Sequence, residues 1–378
     1  MHTQPLTIEP AALQEPRATR RRWCLGTRLL VAIAVAWLVF AIAQRVFSGH
    51  WWFWLLVDAL PPALFLLVPL LLLLSVPILL ACRVRLPVTA RWSVVGVALL
   101  AGVLGFDQSG INLTGSPDGP VPPGALHVFA WNTQYWDQTD NPNRFYAFLK
   151  AQHADVYLLQ EYLNWDEAKD DKGAIRVTDT ARLHREFPGY TIVTRGELLT
   201  LSRFPVVAQP LVGPDRPNVD WQTEFENAKV LRTDVLVKGR TVSFYNVHIP
   251  VQLDLNRGIF SSGFYDYAQQ ANTQRQAQFA GLQQDIAANH NPTLVAGDFN
   301  TSPAMADLAG LRGTMQTAST SVDPTSWQSS GWMQFWRLDW TFTHGISVNR
   351  YAFGDAQGMS DHRPQDVTIS VPGLTTAR

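Results

Sequence analysis

Six short stretches of the sequence set an amide, a carboxylate or an imidazole directly beside an apolar run. They are Trp131-Asn132-Thr133, Leu159-Gln160-Glu161, Asn246-Val247-His248, Gly297-Asp298-Phe299-Asn300, Leu338-Asp339-Trp340 and Ser360-Asp361-His362-Arg363-Pro364. One polar residue at the end of an apolar segment is ordinary, because strands that meet loops are often capped in this way. Six such places, all supplying oxygen or ring nitrogen, are hard to explain as caps. Carboxylates and amides are the hard oxygen donors that an ion such as Mg²⁺ takes, and an imidazole gains or gives a proton near neutral pH. Sulfur chemistry is excluded. Cys24 and Cys82 are the only cysteines in 378 residues, with no zinc-ligand spacing and too few for a disulfide scaffold.

Short strands must position these residues. Apolar stretches predict strands over 126–131, 155–160, 189–193, 198–202, 229–237, 241–247, 293–297, 338–343 and 366–371. Amphipathic periodicity predicts helices over 142–152, 178–187 and 266–289. Lys238-Gly239-Arg240 joins two of the strands as a hairpin. Many strands with few helices suggest two packed sheets with helices outside. In an extended Asp298-Phe299-Asn300, both polar side chains would point one way and the aromatic the other; the alternative is an Asp-x-Asn turn.

The order of the six stretches resembles the endonuclease/exonuclease/phosphatase superfamily, which includes pancreatic-type deoxyribonucleases, abasic-site endonucleases, neutral sphingomyelinases and inositol-polyphosphate 5-phosphatases. The resemblance spans about 125–372, and the segment from Gly196 to Pro205 also looks like the family's. It implies an α/β (α+β) four-layer sandwich, two mixed β-sheets flanked by helices, with the site where strand ends of both sheets converge. It also implies roles. Glu161 would be the main metal ligand, with Asn132 beside it and Asp361 as a further carboxylate near the metal. Asp298 would orient or deprotonate the attacking water. Asn300 would hydrogen-bond the phosphoryl oxygen or hold His248, and His248 would donate to that oxygen. Asp339 would fix the tautomer of His362. The implied cofactor is Mg²⁺, with Mn²⁺ as a substitute. Such a set suits phosphoryl transfer to water, which needs an in-line nucleophile and neutralised equatorial oxygens. His127, His153, His184, His290 and His344 are read as structural or surface residues.

A different chain precedes this body. Nine Arg, no Lys and only Glu9, Glu15 and Asp58 give residues 1–106 a charge of +6, against −7 for the remainder. Apolar runs cover Leu29–Ala43, Ala59–Cys82 and Trp92–Phe106. A bilayer-crossing helix needs about 20 residues; the second run suffices, and the first and third borrow flanking residues. The first could be a signal peptide, but no clear small-x-small site precedes Trp51–Trp54, which read as an interfacial belt. Arg17 and Arg20–Arg22 before the first run, and Arg83, Arg85 and Arg91 between the second and third, place the N-terminus in the cytoplasm and the body outside it. The expected organisation is a cytoplasmic tail over 1–22, three spans within 23–106, a linker over 107–124 and a catalytic domain over 125–372. Membrane-anchored superfamily members associated with glycopeptide resistance look similar in layout.

The expected function is a multi-pass plasma-membrane phosphoesterase, Mg²⁺-dependent, acting outside the cytoplasm on a phosphate ester or pyrophosphate. Anchoring favours a lipid-linked substrate. A tethered nuclease is the alternative, disfavoured because the acidic body lacks the positive balance that phosphate backbones attract; a catalytically silent binding domain would have lost Glu161, Asp298 or His362. The partners expected are the bilayer and the phosphorylated substrate; no protein partner is inferred. The aromatic segment 251–271, with Phe260, Phe264, Tyr265 and Tyr267, reads as a flexible rim. It would grip an apolar part of the substrate, dip into the membrane, or pack on its own helix.

Overall fold

The computed structural model describes residues 23–373 apart from 114–116, 138–140, 167–172, 320–321, 323 and 329–333. The expected tail with Arg17 and Arg20–Arg22, and part of the expected linker, lie outside the described residues. The head contains α1 (Leu25–Phe47), one-turn α2 (Leu55–Asp58), α3 (Leu64–Ala81) and α4 (Val88–Gly105). Three of these, α1, α3 and α4, are long and apolar enough to cross a membrane. Small residues let them approach closely: a Cβ on Gly105 would meet the Phe65 carbonyl oxygen at 2.6 Å.

The body begins with β1 (Leu126–Asn132), α5 (Pro142–Ala151), β2 (Val156–Gln160), β3 (Leu163–Trp165), β4 (Ala174–Arg176) and α6 (Ala181–Glu186). Next come β5 (Thr191–Arg195), β6 (Leu198–Ser202), β7 (Val206–Ala208), α7 (Trp221–Asn227), β8 (Val230–Val237) and β9 (Arg240–His248). Then follow α8 (Ser262–Ala288), β10 (Thr293–Asp298), α9 (Ala309–Thr314), β11 (Gln316–Thr317), β12 (Trp327–Gln328) and β13 (Gln334–Trp336). The chain closes with β14 (Asp339–His344), β15 (Ser347–Phe353) and β16 (Gln365–Ser370). One six-stranded sheet has the order β15-β16-β1-β2-β6-β5, the other β11-β14-β10-β9-β8-β7. Both are mixed: β1 runs parallel to β2 and antiparallel to β16, and β10 runs parallel to β9 and antiparallel to β14.

Strand periodicity builds the layers. Val128, Ala130 and Leu158 point inward and meet Phe244, Leu294 and Ala296 of the other sheet. Their neighbours Phe129, Trp131, Tyr157 and Leu159 point outward, beneath Phe145, Leu149 and Leu183 of α5 and α6. On the other side Tyr245, Val247 and Val295 pack under Phe279 and Leu282 of α8 and Leu311 of α9. Apolar residues on both faces explain why these strands read as continuous runs rather than as alternation. The four-layer sandwich expected from the resemblance is the fold. Among the polar bridges between the sheets, buried Asn246 donates to the carbonyls of Leu159 and Leu199 at 2.9 and 3.0 Å and accepts from Gln160 at 2.5 Å.

The 251–271 segment is not a loop throughout. Ser261 caps α8, its hydroxyl accepting from Phe264 N–H at 3.2 Å. Phe264 is buried, and Tyr265 and Tyr267 are helical. Only the stretch before the cap, ending in exposed Ile259 and Phe260, is a rim.

Head and body share a seam. Gln44, fully buried in α1, donates to Asp58 Oδ1 at 2.5 Å and to the Ala304 carbonyl at 3.0 Å, and accepts from Trp54 Nε1 at 2.7 Å. Ser48 Oγ accepts from Ala306 N–H at 3.0 Å. Burial pushes the Asp58 carboxyl up to about 7, against the hydrogen bonds from Ser48 and Gln44 that favour its charged form.

Candidate active site

Register brings the polar residues together. Asp298 at the end of β10 pairs with His248 of β9 on one side and Asp339 of β14 on the other, and Asn132 of β1 pairs with Gln160 of β2. Gly297 is required just before Asp298: its φ is +146°, and a Cβ there would lie 2.0 Å from the Val247 carbonyl oxygen. The two sheets then place their strand ends opposite each other. Asn132 Nδ2 donates to Glu161 Oε1 and to Asp298 Oδ2, both at 3.0 Å. One amide thus joins a carboxylate from each sheet.

Glu161 follows β2 in a left-handed conformation, φ +59°, uncommon for a side chain of this kind. That turn directs its carboxylate back toward Asn132, and Tyr135 N–H donates to Oε2 at 3.0 Å. Burial raises its pKa, and Glu197 adds to the rise, against the lowering by His248 and Asn132. Such a carboxylate gains from a bound cation.

His248 Nε2 lies 3.7 Å from Asp298 Oδ2 and 3.9 Å from Glu161 Oε1. Its Nδ1 lies 3.1 Å from Glu197 Oε1, an ion-pair contact without good hydrogen-bond alignment. Burial works against the imidazolium, but Glu197, Asp298 and Glu161 outweigh it and carry the pKa up to about 9. Glu197 is itself buried, which opposes its charge, yet His248 and Lys229 hold it down to about 2. Lys229 Nζ contacts the same carboxylate oxygen.

His362 stands on the other side of Asp298. Its Nδ1 is 2.9 Å from Asp339 Oδ2, and its Nε2 is 3.5 Å from Asp298 Oδ2. Burial opposes its charge, but Asp339 and then Asp298 raise its pKa well above the ordinary value. Burial also raises that of Asp339, so the pair holds one proton firmly. Ser326 Oγ donates to Asp339 Oδ2 at 2.7 Å and accepts from the N–H groups of Leu338 and Asp339. Asp298, Asp339 and His362 each offer an atom within 4.8 Å of the others. Asp361 sits at the edge, its side chain 33% exposed. Its Oδ2 accepts from Trp327 Nε1 at 2.8 Å, and its Oδ1 is 3.9 Å from His362 Nε2.

One sequence expectation is corrected. Asp298-Phe299-Asn300 is a turn rather than an extended segment: Asn300 has φ +45°, and its N–H donates to Asp298 Oδ1 at 2.8 Å. Asp298 is drawn into bonding its own backbone two residues on, which breaks the alternation. Asn300 Nδ2 donates to the Ile249 carbonyl at 2.9 Å and reaches Asp298 Oδ2 at 3.3 Å. It fastens the backbone beside His248, not the ring.

Three groups escaped sequence reasoning. Glu197 carries the same signal as Glu161, a carboxylate next to an apolar strand, but it sits in the two-residue Gly196-Glu197 turn between β5 and β6. Ser326 lies far from any apolar run. Arg275, 1% exposed in α8, leaves no mark in a helical pattern. Its Nη1 donates to the carbonyls of Pro250 and Asn300 at 2.7 and 3.1 Å, and its Nη2 to Thr301 Oγ1 at 2.7 Å. It ties the loop after His248 to the loop after Asp298.

The donor set fits a hard divalent cation, because two carboxylates meet at one amide in buried surroundings and need charge compensation. No curated protein sequence matches the chain. Among solved structures, a family protein from Leptotrichia buccalis is 18% identical with a TM-score of 0.45, covering 65% of this chain and 100% of its own. The human Nocturnin catalytic domain with bound sulfate is 15% identical with a TM-score of 0.43, covering 67% and 96%. The AP endonuclease LMAP from Leishmania major is 15% identical with a TM-score of 0.44, covering 66% and 88%. Residues 129–362 match the family described as Endonuclease/Exonuclease/phosphatase family. With six motifs in order, two facing sheets and an acidic cluster at their strand ends, the chain belongs to the endonuclease/exonuclease/phosphatase family, whose members are metal-dependent hydrolases of phosphoric esters.

Proposed function

We propose that the protein is a membrane-anchored phosphoesterase, Mg²⁺-dependent, that hydrolyses a lipid-linked phosphate ester or pyrophosphate on the extracytoplasmic side. The observation that carries the reading is the joining of three apolar helices to the body at its catalytic end, where Gln44 and Ser48 of the head meet the loop that follows Asp298. An enzyme so mounted works where lipid headgroups are.

The residues divide the reaction between them. Glu161, with Asn132 and Asp361, would hold Mg²⁺, which would neutralise charge on the phosphoryl oxygens. Asp298, held by Asn132 and by its own turn, accepts a hydrogen bond from the attacking water and draws off its proton. His248, charged through Glu197, donates to a phosphoryl oxygen as negative charge builds there. His362 keeps its Nδ1 proton on Asp339 and presents Nε2 beside Asp298, in position to donate or relay a proton. Water adds to phosphorus, the P–O ester bond breaks, and the leaving oxygen takes a proton from solvent or from an imidazolium. The Arg asymmetry of the sequence supports an extracytoplasmic body.

The test uses the full chain in detergent or vesicles, assayed on phospholipid, polyprenyl pyrophosphate and nucleic acid. Turnover of a lipid-linked phosphate that disappears in chelator and returns with Mg²⁺, and that collapses in Glu161→Ala while the melting transition stays near wild type, is the expected result. Hydrolysis of nucleic acid alone overturns the substrate, and full turnover in excess chelator overturns the metal.

A further inference from the structure

The loops that leave the catalytic ends of β9 and β10 are the ones that meet the head. β9 ends at His248, and the chain then runs to the Ser261 cap of α8. Tyr265, just inside that helix, packs edge-on against Trp52, ring centroids 6.5 Å apart. Gln276 comes eleven residues later, back on the same face after about three turns, and donates to the Gly49 carbonyl at 3.2 Å. Both anchor points of α8 thus lie on the short segment between the first two apolar helices. β10 ends at Asp298, and its loop takes the contacts from Gln44 and Ser48. The catalytic end of the body therefore faces the level at which α1 leaves its apolar stretch.

At this end stands Phe260, 96% exposed, with Ile259 exposed beside it. The turn that presents them is closed, Ser261 N–H donating to the Gly258 carbonyl at 3.0 Å. Phe260 immediately precedes the Ser261 cap of the helix whose first turn carries Tyr265, the residue that packs on Trp52 of the Trp51–Trp54 cluster. Leaving such a ring in water forgoes the free energy gained by burying it.

We propose that the Ile259–Phe260 turn is a membrane-inserted lip of the active site, its partner the boundary between headgroups and acyl chains. The inference rests on reading α1, α3 and α4 as spans, and it deepens the lipid-linked reading: a lipid-borne phosphate would approach His248 and Asp298 without leaving the surface. Insertion needs no new bond, only the transfer of two apolar side chains out of water.

The experiment places a nitroxide label in the full chain, reconstituted in phosphatidylcholine–phosphatidylglycerol vesicles, with Cys24→Ser and Cys82→Ser removing the native thiols. The label sits at Phe260→Cys or, should that variant fold poorly, at Ile259→Cys. A control label at Lys238→Cys occupies the exposed turn at the opposite end of β9. Collision with a water-soluble nickel chelate should be several-fold lower at the lip than at the control, and collision with oxygen higher; equal accessibility overturns the proposal. Phe260→Ser should lower the ratio of turnover on vesicle-borne phosphate to turnover on a soluble aryl phosphodiester several-fold; an unchanged ratio overturns the lip's part in access. An immersed label on an enzyme inert toward every lipid phosphate supports insertion while sinking the lipid-linked substrate.

Discussion

Two imidazoles flank Asp298, and each carries a buried carboxylate at its inner nitrogen. On the β9 side His248 faces Glu197; on the β14 side His362 faces Asp339. The neighbours of the carboxylates make the two pairs different. Glu197 also contacts Lys229, so it stays ionised and its imidazole is a fixed cation. Behind Asp339 stands the neutral Ser326 hydroxyl in place of a cation, so burial raises its pKa and it shares a proton with His362. One residue pattern thus gives a charged donor on one side and a proton-holding pair on the other. The partner's partner decides which.

The largest test of this contrast is on the β14 side. His362→Ala should cut kcat by about 10²–10⁴, and Asp339→Asn should cut it less. If Asp339 acts only through the imidazole, it should cost little once His362 is gone. Additive losses in kcat, measured beside the melting transition, would show two independent residues.

Next in size is Glu197→Gln. His248 works as a cation, so activity should be present below its pKa of about 9 and fall as pH rises through it. Without Glu197 that alkaline limb should move down toward the ordinary imidazole value near 6.5, a loss of up to about thirtyfold at pH 8. An unmoved limb in the pH profile of kcat/KM would break the contrast.

Lys229→Met should have a smaller effect, seen in stability. The folded-state pKa of Glu197, about 2 against an ordinary 4.5, gives stability that is present above about 4.5 and lost as pH falls toward 2. Removing Lys229 should cost about 1–2 kcal/mol at neutral pH and let the acid loss begin at higher pH. A melting series from pH 7 to 3 measures both. Smallest is Ser326→Ala, which removes one donor to Asp339 and should lower stability by about 1 kcal/mol with kcat within a few-fold of wild type.

The same contrast shows what the sequence made legible. Asn132, Glu161, His248, Asp298 and Asp339 each end or begin an apolar strand, so local pattern located them, and sheet register brought them together. Glu197 and Lys229 flank strands too, but as apparent turn and strand-edge residues their meaning is a tertiary contact across 32 positions. At Asp298-Asn300 the turn, the alternative to an extended segment, is the conformation found; period-2 reasoning assumes a straight strand. The fold was legible through buried strands such as β1, β2 and β10, each a run of apolar residues. Edge strand β15 was not, since Asn349 and Arg350 interrupt its pattern. Helices α7 and α9, of 7 and 6 residues, are too short for periodicity to register.

The seam at Gln44 also bears on how the site is held in space. A tethered domain samples every height its linker permits. Here a glutamine in the first apolar helix grips a carbonyl 260 positions later, so the position of Asp298 relative to the apolar helices is set by buried hydrogen bonds and not by the length of chain between Asp107 and Gly124. Inserting flexible residues into that stretch should leave the reach of the enzyme unaltered. Swapping the head for an unrelated anchor of the same length should not: it would turn a fixed stand into a leash, with the loop after Asp298 left uncovered beneath it.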